Sequence, residues 1–111
     1  MTPEQNAEFI YNNASLYAQA KAARVKVELE LKATKAFLMT EALQNGFKQA
    51  VAQEREALSS EAYGKLIYAL AKAVEVEETL KLQLQSADLS IQIWRTREAS
   101  CLLYTSPSPR D

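Results

Sequence analysis

Between Leu66 and Trp94 the apolar residues recur in alternating steps of four and three. Leu66, Leu70, Ala73, Leu80, Leu84, Ala87, Ile91 and Trp94 fall on one stripe of an α-helix, broken only by Glu77. That spacing predicts a helix over 61–99, opened by a turn and N-cap at Ser59-Ser60. A stripe of this length is stable only when covered. A second face, Leu82, Leu89 and Ile93, lies beside it.

The preceding chain has the same character. Thr2-Pro3-Glu4-Gln5 reads as a capping box with Pro at the first helical position, which starts a short helix over 3–12. Asn12-Asn13 favours a break there, because Asn side chains compete for backbone hydrogen bonds. A second helix is predicted over 14–45, with a continuous helix as the alternative. Its stripe is Leu16, Ala20, Ala23, Val27, Leu31, Thr34 and Leu38, with Val25, Leu29, Ala36 and Leu43 roughly opposite. Gly46 is the expected left-handed C-cap, and a short helix over 47–58 carries Phe47, Val51 and Leu58.

The segments Leu80-Lys81-Leu82-Gln83-Leu84 and Leu89-Ser90-Ile91-Gln92-Ile93 also alternate with period two. A β-hairpin turning at Gln85-Ser86-Ala87-Asp88 is the rival reading. Against it, neither Gly nor Pro marks the turn, and the helical stripe runs through it unbroken. The fold expected is all-α. It is an elongated, antiparallel, coiled-coil-like helical hairpin with short accessory helices, in a single domain over 1–100. Two apolar faces on each long helix exceed what one hairpin covers. They predict a homo-oligomer that self-associates through Leu66, Leu70, Leu80, Leu84, Ile91 and Trp94. Glu77 either pairs there with a Lys or Arg and fixes register, or is exposed where the stripe drifts.

Composition supports this picture and narrows the chemistry. With 111 residues, two Gly and three Pro, the chain suits one small helical domain. It has no His, one Cys and a net charge of −1. A His-based triad, a disulfide framework and a Cys-pair zinc site are therefore excluded. No Gly-rich phosphate loop occurs. Glu75, Glu77 and Glu78, with Glu54 and Glu56, lack the His partners of a helical di-metal site and read as a solvated acidic surface. Tyr11, Tyr17, Tyr63 and Tyr68 read as caps on core layers rather than as a base-stacking platform. No catalytic residue, cofactor, metal, small-molecule substrate or membrane span is expected, and the expected compartment is the cytoplasm.

The most pointed stretch is Trp94-Arg95-Thr96-Arg97. Arg95 and Arg97 near a helix end are candidates for phosphate contact, which makes nucleic-acid binding the alternative function. Residues 101–111 differ from the rest. They carry the Cys, two Pro and no helical period. Along their whole length they resemble one reading frame of a transposase adapter used in sequencing libraries. The expectation is a non-native or disordered tail and a natural chain cut near Ser100.

Two blocks carry a further resemblance. Glu77-Glu78-x-Leu80 with Ile91-x-Ile93-Trp94-Arg95-Thr96-Arg97-Glu98-Ala99-Ser100, and the early Tyr17-Ala18-Gln19-Ala20-Lys21-Ala22-x-Arg24-Val25, are similar to a group of small, uncharacterised proteins of tailed bacteriophages and prophages. The resemblance covers most of residues 1–100. It implies a phage or prophage origin, residence in a host bacterial cell, and a polar, Arg-containing continuation of the last helix. It implies no established activity. The function expected is a non-enzymatic, phage-type helical interaction protein. The alternative is an accessory nucleic-acid-binding protein of phage DNA replication or recombination.

Overall fold

A computed structural model describes residues 1–105, with side chains described for 1–102. The fold is all-α, in the order α1 (Pro3–Gln44), α2 (Ala50–Leu58) and α3 (Glu61–Thr105). The β-hairpin alternative over 80–93 is excluded, because that segment lies inside α3.

The predicted helix ends are built as their residue types require. The Thr2 N–H donates to Gln5 Oε1 at 2.9 Å, and the Gln5 N–H donates to Thr2 Oγ1 at 3.1 Å. Two donors that the helix itself cannot satisfy are thereby used. At the other end Gly46 takes φ 102°, the Phe47 N–H donates to Ala42 O at 3.0 Å, and the Gly46 N–H donates to Leu43 O at 3.2 Å. Those two crossed bonds are the Schellman arrangement. Ser60 caps α3 by accepting from the Ala62 N–H at 3.2 Å.

Three expectations are corrected. Helices over 3–12 and 14–45 are one uninterrupted α1. The Asn13 Nδ2 donates back to Phe9 O at 2.8 Å, so its side chain bonds within the helix rather than opening it. The short helix begins at Ala50, not at residue 47. Finally, α3 does not stop near Ala99 but runs through Cys101 to Thr105. Nothing from Ser100 to Thr105 forbids a helix, and the first Pro stands at 107. The expectation for 106–111 lies outside the described residues.

By its internal packing the chain falls into two compact units. One is built from Met1–Tyr17 and the chain from Thr79 onward, the other from Ala18–Glu78. In the first, Asn6 lies beside both the 82–90 stretch and Trp94, and the segments run antiparallel. Its less exposed positions include Asn6, Ile10, Asn13 and Tyr17 on α1, with Leu80, Leu84, Ala87 and Ile91 on α3. In the second they include Ala20, Arg24, Val27, Leu31, Thr34, Leu38 and Ala42 on α1, with Leu66, Leu70, Ala73 and Glu77 on α3. From Leu66 to Ile91 the α3 stripe read from the sequence therefore faces inward. The α1 stripe is corrected: Leu16 and Ala23 are exposed, and Tyr17 and Arg24 take the inward places.

Among the described residues the buried apolar side chains are small: Ala20, Ala42, Ala57 and Ala87. Small side chains allow helices to approach closely, while the larger Leu and Val residues are only half covered. In the second unit α2 buries Ala57, and Lys35 Nζ on α1 donates to Glu54 Oε1 on α2 at 3.0 Å.

Gly46 has open space where a Cβ would stand, so only its positive φ resists a side chain. Gly46→Ala is expected to cost about 1 kcal/mol, lowering Tm by roughly 4–8 °C in a thermal melt. An unchanged Tm would show that the α1 end does not need this conformation.

Candidate functional site

Glu77 is 6% exposed, deep in the second unit. Of the two alternatives expected for it, pairing or exposure, it is paired. Arg24 Nε of α1 donates to Glu77 Oε1 at 2.5 Å and to Oε2 at 2.9 Å. Arg24 Nη1 also bonds Glu28 Oε1, one turn further along α1. One guanidinium thus bridges a carboxylate on its own helix and one on the facing helix. The planar fork of Arg suits this double task, which a Lys point charge would serve less well.

The hydrogen bond to Glu77 is the main reason that the Arg24 pKa lies above its ordinary value. A raised cation pKa contributes stability below the unfolded value and loses it only as pH rises through the folded one. For Arg both lie far above neutrality, so Arg24 itself introduces no pH dependence in working buffers.

The remaining expected site residues separate into two groups. Leu66, Leu70, Glu77, Leu80, Leu84 and Ile91, offered for self-association, face inward within the single chain. Trp94 is 42% exposed and lies beside Met1, Pro3, Asn6, Ser90 and Arg97. The second faces remain open. Leu29 (60%) and Val25 are exposed on α1, as are Leu82 (60%), Leu89 and Ile93 on α3.

Arg95 and Arg97 are exposed, but two residues apart on a helix they point roughly 200° from each other. They form no single basic patch. Nor do they stand at a helix C-terminus, since α3 continues to Thr105. The expected favourable helix-end field is therefore lost to them. Tyr68 is exposed, with Lys72 Nζ 5.6 Å from its ring centre. Tyr11 is also exposed, while Tyr17 and Tyr63 are half-buried. Among the described residues no group of acidic or Cys side chains could hold a metal ion. No described helix is long and apolar enough to cross a membrane.

Arg24 and Asn6 are two of the inward polar residues that the sequence reading did not place on the seam. Asn6 is 4% exposed in the first unit. Its backbone N–H donates to Thr2 O at 2.9 Å, but among the described residues no hydrogen bond is found for its side chain. The signal that finds both is the strict seven-residue repeat. Counting back from Val27 and Leu31 in steps of seven reaches Ala20, Asn13 and Asn6, and Arg24, Tyr17 and Ile10.

No known protein family, curated protein or solved structure matches this chain.

Glu77→Gln is expected to lower Tm by several degrees, because it removes the charge that Arg24 needs opposite it. The double variant Arg24→Met/Glu77→Leu should recover that loss, since apolar residues of similar volume can replace a buried pair. A double variant less stable than Glu77→Gln would show that the ion pair contributes net stability. Asn6→Leu is expected to raise Tm, by removing a buried amide that has no hydrogen bond among the described residues. A lowered Tm would mean that the amide is satisfied in solution.

Proposed function

We propose that this chain is a non-enzymatic, phage-type helical interaction protein that self-associates through apolar faces of its long helices. The observation that carries this reading is the open second face on each long helix: Val25 and Leu29 of α1, and Leu82, Leu89 and Ile93 of α3. Contiguous exposed apolar surface at helical spacing is unfavourable in water, and a partner helix is the usual means of covering it.

The chemistry of the side chains favours the same reading. The deepest ionisable residue, Glu77, is committed to Arg24. Its carboxylate is held by the fold rather than presented to a substrate. The divergence of Arg95 and Arg97 takes away the patch on which a nucleic-acid role would rest.

Sedimentation velocity from micromolar to millimolar concentration is expected to show a rising weight-average mass. A constant monomer mass over that range would overturn the proposal.

A further inference from the structure

The self-association proposed above leaves open which face pairs and in which direction. On α1, within the second unit, Ala18, Ala22, Val25 and Leu29 form one exposed stripe, and Lys32 ends it at the next position. The stripe lies opposite the inward positions Ala20, Val27 and Leu31. Lys21 and Glu28 flank it on one side, and Lys26 on the other.

The charges distinguish the two directions. In a parallel pair the flanking positions of opposite sides meet five residues apart, which sets Lys21 of one copy against Lys26 of the other. Those like charges oppose that pairing. In an antiparallel pair about a two-fold axis, each flank meets the same flank of the copy. Lys21 then meets Glu28, and symmetry repeats the contact. Glu28 has the capacity for this, because Arg24 bonds its Oε1 and the carboxylate carries a second oxygen. Lys21 makes no ion pair among the described residues. The same register sets small against large across the seam. Ala18 faces Leu29 of the copy, and Ala22 faces Val25.

We propose that the Ala18–Leu29 face of α1 binds the same face of a second copy antiparallel, with Lys21 paired to Glu28 across the interface. This rests on the self-association reading and adds its surface and direction.

The test uses the full chain in a Cys101→Ser background, so that only introduced thiols react. The double variant Ala18→Cys/Leu29→Cys should form a covalent dimer on mild oxidation, whereas each single variant should remain uncross-linked. Residues 18 and 29 are roughly 16 Å apart along one helix, which prevents a bond within a chain. Val25→Glu/Leu29→Glu should weaken association at least about tenfold in sedimentation, with helix content unchanged by circular dichroism. Ready cross-linking of Ala18→Cys alone would place the copies parallel and overturn the inference. If the parent chain associates but Val25→Glu/Leu29→Glu associates equally, this face is wrong while self-association stands. If the parent chain remains monomeric, both fail.

Discussion

Two helices packed side by side share one seam. Each long helix of this chain carries apolar residues on more than one side, so pairing leaves a remainder. The inward stripe of α3 is used, from Leu66 and Leu70 in one unit to Leu84 and Ile91 in the other. What remains is the outward set of Leu29, Leu82 and Leu89, which no described element covers. The limit is geometric. A two-helix layer has no third side from which to close a core, and the buried apolar residues Ala20 on α1 and Ala87 on α3 are accordingly alanines.

Within that limit the seam needs a means of choosing its alignment. Half-covered leucines slide past each other at little cost, because one apolar contact resembles the next. A buried charge does not. Glu77 is acceptable inside only where Arg24 reaches it, and displacement by one turn would strand Glu77 and leave Arg24 with Glu28 alone. Asn6 carries no such compensation among the described residues. Polar residues at seam positions therefore trade stability for alignment.

The fold was legible where one residue type has one local consequence. Thr2 with Gln5, Gly46 and Ser60 each mark a helix end by a hydrogen bond or a φ angle that few other residues provide. The stripe of α3 was legible because only Glu77 interrupts it. The α1 seam was harder to read, since three of its places hold Asn6, Asn13 and Arg24. Selecting apolar residues first drew Leu16 and Ala23 into the stripe, and each lies one position from the true seam. The break expected at Asn13 failed for a related reason. An Asn side chain that competes with the backbone can also satisfy it, as the bond to Phe9 O does. The start of α2 was misplaced by less than a turn and the end of α3 by nearly two turns, where propensity is shallow and packing decides.

The seam and the outward face of α1 also differ in what they demand of a partner. A helix with two apolar sides risks being covered on the wrong one, by another copy in place of its own α3. Arg24 opposes that exchange. Its side of α1 accepts a helix that brings a carboxylate to the level of Glu77, and the outward face of α1 brings Val25 and Leu29 with Lys21 and Lys26 beside them. Presented to Arg24, that face would bring Lys21 and Lys26 near a guanidinium left with Glu28 alone. Presented to its own kind antiparallel, it sets Lys21 against Glu28. The charges thus sort two surfaces that hydrophobicity alone would leave interchangeable.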